Sequence, residues 1–267
     1  MSPLGAPLVE DTRGAWLFAR YAYAPNKLGY CGPPDSGTLA DAGSVPSATA
    51  DVRAVARRFS GAWPYLEVLA KLTGLEDPLD SRLVESYWLG GGVGAQISPR
   101  AFGEELLARI APQAGHYWAH LTPELLDEAA GDHCFHVFGV YPWSRLLTTV
   151  AHEHPLHVLD SCRIRWGTVL SRHDGEIIVR SRRLTWNGSE LALAESTEER
   201  VAVAVDGLSF LPDVAPGDQV ALHWQWLCDR LSDDQVTGLE ASTLRQIEVT
   251  NRRLAREREA ATPGSTG

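Results

Sequence analysis

The sequence predicts an α+β protein: a mostly α-helical N-terminal domain followed by a small OB-like β-barrel with a C-terminal helix. Up to about residue 152, apolar side chains recur at helical spacing between Gly and Pro punctuation. From Cys162 onward the pattern changes to short alternating or β-branched runs. The dipeptides Asp174-Gly175 and Asn187-Gly188 lie between these runs and are typical of tight hairpin turns.

The helices of the first half are predicted from apolar spacing and from their end signals. Ser98-Pro99 has the N-cap and first-turn pattern, and Asp80 or Ser81 caps another helix. The first helix is expected to stop before Pro25, and residues 49–73 are expected to form one helix or two, with a break or kink at Pro64. A long loop is predicted over 26–47. The predicted helical segments are 13–23, 49–73, 79–89, 98–111, 123–130 and 142–152.

The second half reads as five strands and a helix. The predicted strands are 163–170, 176–184, 190–194, 200–206 and 220–224. Short strands joined by tight turns favour a small OB-like barrel. Ser232 and the two aspartates after it cap a helix predicted over 233–258. The predicted domains are therefore a helical domain at 1–155, a barrel with its helix at 156–260, and a disordered tail at 261–267.

Bulk properties exclude several classes of protein. The net charge of −10 and the pI near 5.4 make binding to a nucleic-acid backbone unfavourable. No apolar run is long enough for a membrane span, and residues 1–11 lack the pattern of a signal peptide. The sequence therefore predicts a cytoplasmic protein with reduced thiols. The four cysteines form no CxxC pair, so a structural zinc site of the usual spacing is not indicated.

Two blocks of the second half carry a family resemblance. The first reads C-R-I-R-W-G-T-V from Cys162, and the second reads L-P-D-V-A-P-G-D-Q-V-A-L-H-W-Q-W from Leu211. The helix start L-S-D-D-Q follows at Leu231. These blocks resemble the C-x-x-x-P-G-x-V, L-P-x-V-x-x-G-D-x-V-L-V-H-x-G-F-A and acidic helix-start patterns of HypC/HupF-type chaperones, which help to assemble [NiFe]-hydrogenases. The resemblance covers about ninety residues, a third of the chain.

The resemblance implies a function in hydrogenase maturation. In such chaperones the cysteine, helped by the partner HypD, holds an iron that bears cyanide and carbon monoxide, and the histidine lies in the same region. Carried over, the thiolate role falls on Cys162 and the histidine role on His223. The implied partners are the hydrogenase large subunit and a HypD-like maturation protein, with Fe(CN)2CO as a transient cargo. The chain would then act as an assembly chaperone and not as an enzyme.

The chain departs from that pattern at three places. Cys162 lies inside the chain instead of at its N-terminus, and Trp166 replaces a proline. Trp224-Gln225-Trp226 replaces the smaller G-F-A element, which predicts a bulkier surface near His223. In the first half, the stretch Y-A-P-N-K-L-G-Y-C-G-P is similar to an uncharacterised family associated with [NiFe]-hydrogenase genes.

Cys31 is a further candidate thiolate. It lies in the predicted loop between Gly29 and the run Gly32-Pro33-Pro34, and these residue types would hold the backbone in a fixed, exposed shape. The functional interpretation is a thiol that binds a metal or a partner. The alternative is a structural loop in which Tyr30 and Cys31 are buried.

A second Cys/His cluster lies in the helical half, and its donors suit zinc, iron or nickel. Its spacing fits no standard motif, so hydrogen-bonded packing residues remain the alternative. Two other functions therefore stay open beside the chaperone. One is a metal-dependent enzyme built on this cluster and Cys31, and the other is a metal-free interaction module. The cluster contains His116, His120, Cys134 and His136, with His133 close by.

Overall fold

A computed structural model describes residues 12–34, 37–110, 123–149 and 151–261. It contains α-helices and antiparallel β-sheets, which confirms the α+β prediction. The α-helices are α1 (Thr12–Lys27), α2 (Gly37–Ser44), α3 (Val52–Ala56), α4 (Ala62–Thr73), α5 (Ser81–Leu89), α6 (Pro99–Ile110), α7 (His133–Phe135), α8 (Trp143–Leu146), α9 (Glu153–Cys162) and α10 (Asp233–Ala261). Short 3-10 helices span Gly94–Gln96 and Pro123–Glu128, and a π-helix spans His136–Val140. The strands are β1 (Arg165–His173), β2 (Glu176–Ser181), β3 (Leu184–Trp186), β4 (Leu191–Leu193), β5 (Thr197–Ala202), β6 (Gln219–His223) and β7 (Trp226–Arg230).

The helical half departs from the predicted segments at four places. α1 continues through Pro25 instead of ending before it. The segment 49–73 forms two helices, α3 and α4, but the break between them does not lie at Pro64, which is in the first turn of α4, where proline is tolerated. The predicted loop 26–47 contains α2. The predicted helix 142–152 is reduced to α8, and α9 follows it.

Capping residues explain where two helices begin. The carboxylate of Asp80 accepts a hydrogen bond from the Arg82 amide at the start of α5, at 3.0 Å. Before α10, the Gln235 amide donates to Ser232 Oγ at 3.2 Å, and the Ser232 amide donates to Gln235 Oε1 at 2.9 Å. This reciprocal pair is a capping box. The predicted starts of both helices are therefore confirmed.

The strands form a five-stranded antiparallel sheet in the order β5-β2-β1-β6-β7, and β3 pairs with β4 in a separate hairpin. Asp174 and Gly175 both have positive φ angles, 49° and 82°, as the predicted turn requires. Asn187 closes the second hairpin by accepting two backbone amides, from Ser189 and Glu190. β7 was not predicted. In the described residues no ladder joins the edge strands β5 and β7, so the OB-like barrel is not confirmed.

One hydrophobic core contains side chains from both predicted domains. α1 is buried along most of its length and reaches the sheet, where the Tyr23 ring packs against Trp226 with centroids 4.7 Å apart. The Arg20 guanidinium, also in α1, pairs with the carboxylate of Asp229 in β7 at 3.2 Å. The predicted boundary between residues 155 and 156 falls inside α9. The division into two domains stays a prediction.

A close approach of α1 to the loop before α5 gives a testable stability effect. A Cβ on Gly14 would overlap the carbonyl group of Leu79, with the carbonyl carbon only 2.8 Å away. Backbone cannot rotate away, so we expect Gly14→Ala to lower the free energy of unfolding by about 2 kcal/mol or more, measured by urea denaturation.

The matched control is Gly238→Ala, because that glycine is also helical and its added Cβ would meet Gly91 Cα at an ordinary 3.5 Å. We expect this change to be neutral or to stabilise by up to about 1 kcal/mol, since alanine favours helix over glycine. Equal effects of the two substitutions would contradict the close approach.

Candidate functional site

The structure brings four of the predicted site residues, Cys31, Cys162, His223 and His136, to one place. Cys31, Cys162 and His223 line a single cavity of about 100 Å³. Two histidines of the helical half, His133 and His136, line the same cavity. The site is therefore assembled from the loop after α1, the end of α9, the end of β6, and α7 with the π-helix that follows it.

The size of the cavity limits what it can hold. Its volume is about 100 Å³, whereas a single water needs roughly 10 to 15 Å³ of such space. Pockets for drug-sized ligands are roughly three to ten times larger. Aromatic side chains make up much of the wall, including Phe59, Tyr87, Trp88, Tyr141 and Trp143. The cavity fits a small group with few atoms, such as an ion with small ligands.

Cys162 is the last residue of α9. The sequence predicts a strand from residue 163, and β1 begins at Arg165. Its side chain is buried, and its carbonyl accepts a hydrogen bond from His133 Nε2 at 2.9 Å. Burial raises the pKa of the Cys162 thiol well above its ordinary value, and the nearby Cys31 raises it further. The indole of Trp224 acts in the opposite direction on this pKa.

The loop that carries Cys31 is fixed at both ends. Asn26 is buried, and its Nδ2 donates to the carbonyls of Cys31 at 2.8 Å and of Pro33 at 2.6 Å. Tyr30 stacks on Trp224 with ring centroids 4.1 Å apart, so the loop reaches the sheet. Burial raises the pKa of the Cys31 thiol to about 12. At neutral pH both thiols are therefore protonated until a ligand displaces the proton.

Pro25 explains how His223 is held. A proline has no amide hydrogen, so the carbonyl four residues earlier in the helix, that of Tyr21, loses its usual partner. His223 Nδ1 donates to this Tyr21 carbonyl at 2.7 Å. The neutral ring then keeps its lone pair on Nε2. Burial lowers the pKa of His223 to about 4, so the ring is neutral at physiological pH.

The other two imidazoles that line the cavity, those of His133 and His136, differ in whether a ring nitrogen lacks a hydrogen-bond partner. His133 uses both, because Nε2 donates to the Cys162 carbonyl and Nδ1 lies 3.2 Å from the Tyr87 hydroxyl. His136 Nδ1 is buried and has no hydrogen-bond partner among the described residues. Burial lowers the pKa of both rings, that of His136 to about 4. His136 thus offers an unused nitrogen in a buried ring that lines the cavity.

His136 begins the π-helix, a rare structure that occurs frequently at functional sites. The Tyr141 amide donates to the His136 carbonyl at 3.0 Å, which is the five-residue spacing of this helix type. Asp132 caps the preceding α7 by accepting from the Phe135 amide. This short segment places His133 and His136 on the same side of the chain, three residues apart.

The Cys134 side chain points away from the cavity. Its sulfur lies 3.5 Å from Thr243 Oγ1 of α10, and it does not line the cavity. The structure therefore does not place Cys134 beside Cys31 and His136. His116 and His120 lie outside the described residues. In the part of the chain that the structure describes, no three His, Cys, Asp or Glu side chains lie close enough together to hold a metal ion as they stand.

A buried ion network fixes the end of α9, and no local sequence pattern indicates it. Asp160 accepts from Arg163 at 2.9 Å and from Arg183 at 3.1 Å. Arg183 also pairs with Glu199, which in turn binds Arg165. Arg165 Nη2 donates to the Trp224 carbonyl at 2.9 Å, so the network connects the end of α9 to the residue that follows His223. These contacts join residues far apart in sequence, which local patterns do not reveal.

Comparisons with known proteins give one match. The model of a family described as "Family of unknown function (DUF6390)" matches residues 10–257. No curated protein and no solved structure matches the chain. Among the described residues, no helix is both long and apolar enough to cross a membrane.

Proposed function

The chain belongs to the family DUF6390, and from its thiol and imidazole cavity we propose that it is an accessory chaperone of [NiFe]-hydrogenase maturation. The observation that carries the proposal is the meeting of Cys162 and His223 in one cavity. These two residues come from separate sequence blocks, and the resemblance to HypC-type chaperones selected each of them. In the proposed function, Cys162 holds the iron of Fe(CN)2CO for delivery.

The chemistry of the cavity supports a small iron complex as cargo. A thiolate is a good ligand for iron, and neutral imidazole is a second suitable donor. A cargo that brings two cyanides and one carbon monoxide needs few donors from the protein. The lowered pKa of His223, to about 4, keeps its ring neutral and able to donate a lone pair at neutral pH.

We also propose that the sheet is an OB-like barrel with a gap between β5 and β7. Two features support this. One apolar cluster collects side chains from β1, β2, β5, β6 and β7. The edge strands β5 and β7 also approach each other without forming a ladder. Such an arrangement is compatible with the fold of HypC-type chaperones.

The proposed partners are the hydrogenase large subunit and a HypD-like maturation protein in the cytoplasm. The proposal is tested by anaerobic co-purification with the large subunit, followed by infrared spectroscopy in the cyanide and carbonyl stretching region. We expect wild-type protein to show association and bands. Cys162→Ser should lose the bands, because the thiolate that holds the iron is gone.

The matched control is Cys228→Ser, since Cys228 is equally buried in β7 but does not line the cavity. This variant should keep both the association and the bands. Absence of association and of bands in anaerobically prepared wild-type protein would contradict the proposed function. Association that persists in Cys162→Ser, with no bands in wild type, would favour the metal-free interaction module instead.

The metal-dependent enzyme remains a second candidate, because two of its predicted donors, Cys31 and His136, line the cavity. Metal analysis discriminates between the two. Resident metal that is retained by Cys162→Ala and lost on His136→Ala would favour the enzyme.

A further inference from the structure

We propose that Cys31 and Cys162 form a single dithiol site, which holds one thiophilic atom between the two sulfurs. Where the bound atom is the cargo iron, this inference rests on the proposed function and adds a second thiolate to the same site. One thiol comes from the helical half and one from the end of α9, so the chain needs no partner to complete the pair.

The first argument is that each cysteine is held in place independently. Asn26 fixes the backbone of Cys31 through two hydrogen bonds. Gly32 supports the same loop, because its left-handed backbone (φ 78°) lies directly on the Phe59 ring, where a Cβ would not fit. Preorganised donors lose little conformational entropy when a ligand binds.

Cys162 is held by different contacts. The Trp224 amide donates to the carbonyl of Ser161 at 2.8 Å, and His133 donates to the carbonyl of Cys162 itself. Arg163, the next residue, is buried and paired with Asp160 at 2.9 Å. The thiol therefore sits on a helix end that α7 and the turn after β6 hold from outside, and that a local ion pair supports.

The second argument is that one side chain contacts both halves of the pair. Trp224 stacks on Tyr30, the neighbour of Cys31, and its indole acts on the Cys162 thiol. Both cysteines also line the same cavity of about 100 Å³, which brings the two thiols to one small site.

Arsenite is a suitable probe, because trivalent arsenic binds two neighbouring thiols and is small. Arsenous acid reacts with the two thiols to form two S–As bonds, and two hydroxyl groups leave as two water molecules with the thiol protons. No oxidant or reductant is needed. We expect reduced wild-type protein to retain one arsenic per chain in native mass spectrometry, reversibly displaced by an excess of a small dithiol.

Cys31→Ser and Cys162→Ser should each weaken retention at least about tenfold, since a single thiol loses the advantage of two linked donors. Cys134→Ser and Cys228→Ser remove buried thiols outside the cavity and should retain arsenic as wild type does. Because a misfolded variant would also lose arsenic, a second measurement uses wild-type protein. Arsenite should protect Cys31 and Cys162 together from alkylation, read on their peptides.

Wild-type protein that retains no arsenic, or Cys31→Ser that retains it fully, would overturn the dithiol site. The infrared experiment separates this inference from the proposed function. Arsenic retention without cyanide and carbonyl bands would leave the dithiol in place and count against the iron cargo. Bands that survive Cys31→Ser would leave the chaperone in place and refute the second thiolate.

Discussion

We expect the free energy of unfolding to fall steeply as the pH is lowered from about 6 to about 4. Burial lowers the pKa of His133, His136 and His223 in the folded protein, in the last two cases to about 4 from an ordinary 6.5. Between these values the unfolded chain binds more protons than the folded one. Stability is therefore complete above about pH 6.5 and is lost as the pH falls toward the folded pKa values.

The expected loss is large compared with the stability of a typical protein. A shift of one pKa unit corresponds to about 1.4 kcal/mol, so His136 and His223 each contribute about 3 kcal/mol. A typical domain is stable by about 5 to 15 kcal/mol. Urea denaturation between pH 4 and pH 8 measures the effect. The three imidazoles should contribute the uptake of two to three protons to this slope, and Glu128, Asp132 and Asp229, whose pKa values burial raises, contribute in the opposite direction.

His136→Gln should reduce that slope by about one proton, because it removes one buried imidazole. His173→Gln is the control, since His173 is exposed at the end of β1 and should leave the slope unchanged. A flat stability between pH 6 and pH 4 would mean that the three rings are solvated, and the buried cavity would then be refuted.

Features encoded by neighbouring residues could be predicted from the sequence. The capping box at Ser232 and Gln235 and the turn at Asp174-Gly175 depend on side chains within a few positions of the backbone they bind. Pro25 misled the prediction of α1 because its effect is compensated elsewhere. The carbonyl that it leaves unpaired binds His223, about two hundred residues later in the chain.

The site could be predicted only in part, for a related reason. Motif resemblance selected Cys162 and His223, and the Gly/Pro composition of its loop selected Cys31. Spacing alone could not separate His136 from Cys134, since both belong to one short cluster. The structure separates these two residues, because the helical turn directs Cys134 toward α10 and His136 toward the cavity. The π-helix and the ion network depend on tertiary packing and have no local signal.

The largest effect of a single side chain on stability is expected at Asp160. Its carboxylate is 8% exposed, pairs with Arg163 and Arg183, and also accepts the Leu184 amide at 2.9 Å. Burial by itself would raise the pKa of Asp160, but Arg163 and Arg165 outweigh this and hold the pKa below its ordinary value. The carboxylate is thus charged at neutral pH, and it offsets buried guanidinium groups.

We expect Asp160→Ala to lower the free energy of unfolding by about 3 to 5 kcal/mol, because it leaves buried arginine charge without its partner. Urea denaturation at pH 7 measures the loss. Glu176→Ala is the matched control, since Glu176 pairs with Arg200 at 3.4 Å on the surface, where such pairs contribute about 1 kcal/mol or less. Similar losses for both variants would show that the Asp160 network is not buried.

Asp160→Asn connects this network to the cavity. The amide oxygen still accepts from Leu184, but the negative charge that holds Arg163 beside Cys162 is gone. We expect the end of α9 to loosen, and alkylation of Cys162 should become faster while that of Cys228, in β7, stays unchanged. Unaltered alkylation of Cys162 in a destabilised variant would mean that the network supports the fold without positioning the thiol. Faster alkylation would show that buried charge beside α9 holds the candidate iron ligand in place.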